Sequence, residues 1–350
     1  MVRSVGFAVP GALTIPTGGY AYDRRIITEL GALGWRVETI NLGDGYPQPS
    51  AERRTAAHIM LAAQPNDRPL VVDGLAFGAL PEVALAVGAT HGLIALVHHP
   101  LALEAGLSPE QSQALRASEQ QALTCARGVI VTSPFTGRLL ASDYAVPPDR
   151  IAVVPPGNDR VAPARGTMGG ETSLLAVGAI VPRKGYDVLI AALAPLRDLP
   201  WRLTIVGDRT RDTETAARLD AEIARLSLAE RVAITGVVST ERLAELYASA
   251  DLFVLASRFE GYGMAFAEAI AHGLPIVGTT AGAIAETVPA HAGILVAPDD
   301  VTALSDALRQ VIVDPVSRER LAQSARASAA ALPTWRQSAE LFSQVISATP

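Results

Sequence analysis

Ser257 to Pro275, SRFEGYGMAFAEAIAHGLP, is the stretch that decides the fold. Ahead of it, Asp251–Ser257 (DLFVLAS) is a short apolar run of the kind that forms a strand buried on both faces of a parallel sheet. Within it, Met264–His272 is rich in Ala, Met, Phe, Glu and Ile, and it stops at Gly273 with Pro275 close behind, as helices stop. Glu260 falls in the glycine-broken turn between strand and helix, and Glu268 lies about one turn inside the helix. Gly261 and Gly263 let the backbone come close to a ligand and aim N–H groups at it, at the helix end whose dipole favours an anion. Carboxylates accept hydrogen bonds from hydroxyls and N–H groups hold phosphate, so the stretch suits a phosphorylated sugar. On spacing alone, two unrelated neighbouring glutamates fit equally well.

The longer pattern is more specific. Ser257–Gly273 resembles the E-x7-E signature of retaining family 4 glycosyltransferases of the GT-B fold: a strand, Glu-Gly-aromatic-Gly, an apolar pair, Ala-Glu-Ala, then Gly-x-Pro-Ile-Val. The resemblance implies that Glu260 contacts sugar hydroxyls and that the backbone of Gly261, Tyr262 and Gly263 approaches the sugar and the distal phosphate. It gives Glu268 the nucleotide ribose hydroxyls.

Composition supplies a second pointer. Of 29 basic residues one is a lysine, Lys184, which leaves 28 arginines. A lysine that survives such a bias suggests a place where a compact, flexible point charge is wanted. Its context, LLAVGAIVPRKGYDVLI, reads as a strand over Leu174–Ile180, a short loop and a helix starting near Gly185. Arg183 and Lys184 then sit at the C-terminal end of a strand, where open α/β sheets bind ligands. In the family resembled, a basic pair at this point neutralises the donor diphosphate. Neither a Walker A spacing nor a dinucleotide-binding glycine triplet is present.

At 350 residues the expectation is two domains, each able to bury a core. Net charge is −6 and basic residues do not cluster, which argues against a nucleic-acid binder and gives no sign of a peripheral membrane contact. One cysteine, Cys125, excludes an intrachain disulfide framework and suits a reducing cytosol; we expect it to be a small buried residue. No apolar run is long enough to span a bilayer and the start shows no basic leader, so a cytoplasmic protein is expected.

Short apolar runs alternate with helical patterns along the chain, the mark of parallel sheets. Strands are expected near Ser4–Val9, Arg36–Leu42, Leu70–Asp73, Leu93–His98, Gly128–Thr132 and Ile151–Val154. After an aperiodic stretch read as a linker, Asn158–Glu171, they recur near Leu174–Ile180, Arg202–Gly207, Val232–Thr235, Asp251–Leu255, Pro275–Gly278 and Gly293–Val296. The fold class implied is α/β: two Rossmann-like doubly wound parallel-sheet domains facing a cleft, over 1–160 and 172–332. The resemblance adds that the last helix, within 333–350 and starting around Trp335, returns to the N-terminal domain.

Other candidates are weaker. Gly18 and Gly19 follow the first strand and open the first helix; the family has a glycine-rich loop there that approaches donor phosphates and acceptor. His98 and His99 end a strand where resembling enzymes carry a histidine that touches the donor sugar; His98, right after the apolar run, is the better match, and His99 stays in reserve because strand register decides which ring faces the ligand. Asp208 is expected to cap the helix that follows it. Gly236–Val238 resembles the backbone that pairs with the nucleobase, which brings in Val238, and Thr280–Glu286 brings in Glu286. The remaining histidines, His58, His91, His272 and His291, show no metal-ligand spacing and no acidic pair is placed to hold a divalent ion, so chemistry without metal or other cofactor is expected. The resemblance therefore implies a retaining hexosyltransferase that uses a nucleotide sugar, with UDP favoured by family frequency, and an acceptor that is a glycan, glycolipid or small molecule. A nucleotide-sugar hydrolase or epimerase, or a non-catalytic sugar-nucleotide binder, would carry much of the same sequence.

Overall fold

Apolar runs such as Leu93–Val97, in which all five residues are buried, form the strands, and amphipathic segments between them form the covering helices. The computed structural model describes residues 3–104, 106–167 and 169–349. They divide into two units, one reaching to Gly157 and resuming at Pro333, the other Asn158–Leu332.

The first unit carries β1 (Ser4–Val9), β2 (Arg36–Asn41), β3 (Leu70–Asp73), β4 (Leu93–Val97), β5 (Gly128–Val131) and β6 (Ile151–Val153). All pairings are parallel and the order is β2-β1-β3-β4-β5-β6. Its helices are α1 (Gly18–Ala32), α2 (Ala51–Ala62), α3 (Gly74–Phe77), α4 (Pro81–Gly88), α5 (Pro109–Thr124) and α6 (Pro134–Asp143). The second unit carries β7 (Thr172–Val177), β8 (Trp201–Val206), β9 (Val232–Gly236), β10 (Leu252–Leu255), β11 (Ile276–Thr279) and β12 (Gly293–Val296), again all parallel, in the order β12-β11-β10-β7-β8-β9. Its helices are α7 (Tyr186–Leu193), α8 (Thr213–Arg225), α9 (Thr240–Ser249), α10 (Met264–Ala271), α11 (Ile284–Thr287), α12 (Val301–Val313) and α13 (Pro315–Ala329). The chain closes with α14 (Trp335–Ala348), grouped with the first unit. A capping box between Thr334 and Gln337 fixes its start, and Trp335 packs edge-on against Tyr22 of α1.

In both sheets the order in which successive strands are added reverses partway across, between β1 and β3 in the first and between β7 and β10 in the second. At such a switch point the loops leaving neighbouring strands part, and ligands bind outside the strand ends. The expected strands are all present, with ends moved by at most three residues, but α3 and α4 were not foreseen, because the stretch between β3 and β4 is almost wholly apolar and small, with Glu82 the one charged residue. The stretch read as a linker is fastened to the second unit: Ala164 N–H donates to His272 O (2.7 Å), Arg165 N–H to Ala248 O (2.8 Å), and Thr167 N–H to Asp251 Oδ1 (2.9 Å). The division therefore falls at Gly157/Asn158, three residues before the expected 160, and residues from 158 count with the second unit instead of lying free up to 172. Cys125 is half-buried at the end of α5 and not in the core. No helix among the described residues is long and apolar enough to cross a membrane.

Candidate functional site

In the second unit the loops leaving β7 and β10 lie side by side at the switch point. Lys184 Nζ donates to Glu260 Oε1 (2.7 Å) and Arg183 Nη1 to Glu260 Oε2 (3.3 Å) and to Phe259 O (2.9 Å). Ser257 Oγ adds a third donor to the carboxylate, on Oε1 at 2.7 Å. Burial alone would raise the pKa of Glu260, but Lys184 and Arg183 outweigh it and draw it down to about 2. For Lys184 the order is reversed: burial pulls the ammonium down, and Glu260 opposes it. Two cations against one carboxylate leave this cluster a positive charge to spare.

The backbone around Glu260 is held as firmly as its side chain. Its carbonyl accepts from Ala283 N–H (2.9 Å), ahead of α11. Gly282, in the left-handed region at φ 60, makes that approach possible, since a Cβ there would lie 2.3 Å from Glu260 O. Arg258 N–H donates to Arg183 O (2.8 Å), and its guanidinium grips Asp187 and, through Nε, Asp299 (2.7 Å), so the basic loop is clamped from behind. Gly261, Tyr262 and Gly263 lead into α10, Gly263 serving as a left-handed cap without a side chain, and Thr287 Oγ1 donates to Tyr262 O (2.5 Å). Glu268 Oε2 accepts from the hydroxyl of Tyr247 in α9 (2.9 Å). Burial pushes Glu268 up, against the pull of that hydrogen bond.

Val238 is half-buried ahead of α9, packed on the core. Glu286 is exposed on α11. Asp208 does not cap α8: its Oδ1 accepts from Thr210 N–H (2.7 Å) and closes a turn, while Asp212 caps the helix.

In the first unit the strand-end pair of histidines divides. His99 Nε2 pairs with Glu104 (2.7 Å). His98 Nε2 lies 3.1 Å from Asp23 Oδ1 and 3.4 Å from Asp73 Oδ2. Its ring stands edge-on to Tyr22 and directly under the first turn of α1, so close that a Cβ on Gly19 would meet it at 3.1 Å. Gly18 is exposed beside it, and Thr17 caps the helix through Tyr20 N–H. Burial opposes a charge on His98, but Asp23 and Asp73 hold it up, to about 10; burial pushes Asp23 up, to about 7. Among the described residues Asp23, Asp73 and His98 form the one grouping with metal-ligand chemistry. The ring nitrogen is already within hydrogen-bond reach of both carboxylates and holds the place between them that an ion would take, so we do not assign the group to a metal.

Sequence reasoning missed Asp23, Asp73, Ser257, Arg258 and Tyr247. Asp73 had a signal, an acid ending an apolar strand at the same sheet edge as His98. Asp23 had none, being an acid within a helix whose burial is visible only once the helix is docked.

Two doubly wound parallel sheets, each with charged side chains gathered at its switch point, define an α/β protein of the GT-B type. Comparison with known proteins agrees. The model of "Glycosyl transferases group 1" matches residues 161–328 and that of a "Glycosyl transferase 4-like domain" matches 17–157. The chain belongs to the family 4 glycosyltransferases of the GT-B fold. It is 35% identical to the mannosylfructose-phosphate synthase of Agrobacterium fabrum over 45% of this chain and 38% of that one. It is 29% identical to the MMP alpha-(1->4)-mannosyltransferase of Mycolicibacterium hassiacum over 83% of this chain and 73% of that one. Most other curated relatives it matches are likewise spanned over only about half of their length. In fold it is similar to sucrose-phosphate synthase from Thermosynechococcus elongatus, with a TM-score of 0.82 at 23% identity, covering 97% of this chain and 98% of that one.

Proposed function

We propose that this protein is a retaining glycosyltransferase that moves a hexosyl group from a nucleoside diphosphate sugar, with uridine as the base, to an acceptor hydroxyl without a metal ion. The observation that carries the reading is the Arg183–Lys184–Glu260 cluster, whose surplus positive charge stands at the switch point beside the start of α10. The barrier to such a transfer is dominated by charge on the departing diphosphate and oxocarbenium character on the sugar. A fixed cation pair and helix-start N–H groups lower the first without reorganising. Glu260 already accepts from Lys184, Arg183 and Ser257, so it sets the cations and offers its remaining lone-pair capacity to a sugar hydroxyl. Glu268 is assigned to the ribose hydroxyls and His98 to a sugar hydroxyl. We assign no protein nucleophile; in keeping with the family, a phosphate oxygen of the donor helps take the acceptor proton on the same face. Two similar proteins are, by name, synthases of sugar phosphates, which supports offering phosphorylated sugars first as acceptors.

Thermal shift with UDP, GDP, ADP and NAD tests the donor site. Stabilisation by one nucleoside diphosphate, lost in Glu268→Ala, is the expected result. No shift with any of them sinks the donor assignment. Product analysis with the matching nucleotide sugar, with and without acceptor, then separates transfer from hydrolysis or epimerisation and from binding alone.

A further inference from the structure

At the switch point of the first sheet, three elements each send one chemically active side chain to the same place: α1 gives Asp23, the end of β3 gives Asp73, and the end of β4 gives His98. Asp23 is fully buried and Asp73 nearly so, while the His98 side chain is 19% exposed. Two carboxylates so placed cannot both remain ionised without a positive charge between them. The His98 ring supplies it through Nε2. That leaves Nδ1, which makes no hydrogen bond among the described residues and is not one of the buried unpartnered atoms.

We propose that Asp23 and Asp73 are positioning residues for His98: they grip the ring by its Nε2 edge, keep it an imidazolium, and so leave Nδ1–H as a charged donor to a substrate oxygen. The proposal rests on the reading of His98 as a sugar-hydroxyl contact. A neutral ring gripped in the same way would present Nδ1 as an acceptor, to which a sugar hydroxyl can donate but a phosphate or sugar-ring oxygen cannot; the imidazolium instead donates to any of these oxygens. The other groups packed around the ring do not compete for this role. Tyr22 donates its hydroxyl to Val154 O (3.0 Å), Thr132 Oγ1 donates to His98 O (3.3 Å), and Glu104 is engaged by His99. Asp23 Oδ2 is buried with no partner of its own, so the cluster has no spare donor and the imidazolium is its counter-charge.

The first test does not depend on activity. In the intact protein the ring resonances of His98, identified as those absent from His98→Gln, should report an imidazolium from about pH 6 to about pH 8.5, well past the range of a free histidine. In Asp73→Asn the midpoint should fall, and in Asp23→Asn it should fall further. Transfer should follow it: the alkaline limb of kcat/KM moves to lower pH in each variant, and the loss, about ten-fold or more at high pH, shrinks as pH is lowered. A wild-type His98 that titrates near the free value overturns the proposal, as does an unchanged midpoint in folded Asn variants. A stoichiometric divalent metal bound by the wild type and lost in Asp23→Asn would overturn it too, since the ring would then be a neutral ligand. If His98 stays charged as stated but donor binding ignores His98→Gln, the functional reading of His98 fails while the carboxylate grip stands.

Discussion

The two sheets of this molecule answer the same architectural problem with opposite charge. At the switch point of the second sheet one buried carboxylate, Glu260, faces two cations, Arg183 and Lys184. At the switch point of the first, two buried carboxylates, Asp23 and Asp73, face one imidazole, His98. The surplus decides what each cluster can do. On the proposed function the second unit keeps positive charge for an anionic ligand, and its carboxylate offsets the repulsion between the two cations. The first unit turns its surplus inward, on its own histidine.

The largest effect expected from breaking this balance is in the second unit. Glu260→Gln leaves the half-buried Arg183 and Lys184 without a counter-charge, and breaking a buried ion pair from one side costs about 3–5 kcal/mol, an upper figure here because both cations reach solvent. Chemical denaturation at neutral pH measures it, and a loss well under 1 kcal/mol would mean the cations relax to solvent and the cluster is not a balanced unit. The same pair sets an acid dependence. Glu260 binds its proton less tightly in the folded protein, so its contribution is complete above the ordinary carboxyl range near 4.5 and drains away as pH falls toward about 2. Glu260→Gln should remove that part of the acid slope.

A step smaller, Lys184→Ala takes the surplus charge itself. Arg183 remains to balance Glu260, so the fold should survive. Transfer should fall about 100-fold or more, the scale of removing one preorganised donor from a developing anion. Steady-state rates together with nucleotide affinity check this, the rate falling by more than the affinity. Near-wild-type turnover would sink the assignment of the cluster to the diphosphate.

What could be read in the sequence follows the same division. Glu260, Glu268, Gly261 and Gly263 lie in one unbroken stretch, and Arg183 with Lys184 in another, so local spacing exposed the second unit's cluster before any fold was known. The alternation of apolar runs and helical patterns gave the strands because a parallel sheet buries both faces and leaves long apolar runs. The first unit's cluster is assembled from three segments separated by β2 and α2 and by α3 and α4, and one member, Asp23, stands on a helix whose inward face is otherwise Tyr20, Tyr22, Ile26 and Leu30. No local pattern marks a charge that only docking will bury. The His98 and His99 ambiguity is of the same kind: both residues lie just past the strand end, and it is Asp23, Asp73 and Gly19 against Glu104 that tell the two rings apart.

The smallest effect tests whether the second unit also contains a side chain that acts through another. Tyr247 is buried, its ring 6.2 Å from Phe253 and 4.9 Å from His272, and its hydroxyl donates to Glu268. Burial pushes Glu268 toward its neutral form, and the Tyr247 hydrogen bond pulls it back toward the carboxylate that ribose hydroxyls need. Tyr247→Phe keeps the ring and its packing and removes that pull alone. A lost hydrogen bond of this kind is worth about 1 kcal/mol, so nucleotide affinity should weaken roughly five-fold at neutral pH. The sign fixes the pH trend: with the donor gone Glu268 takes up its proton at higher pH, so the ratio of variant to wild-type dissociation constants should grow as pH falls and shrink as it rises. A ratio that does not move with pH would make Tyr247 a packing residue, and the resemblance between its hold on Glu268 and the grip of Asp23 and Asp73 on His98 would end there.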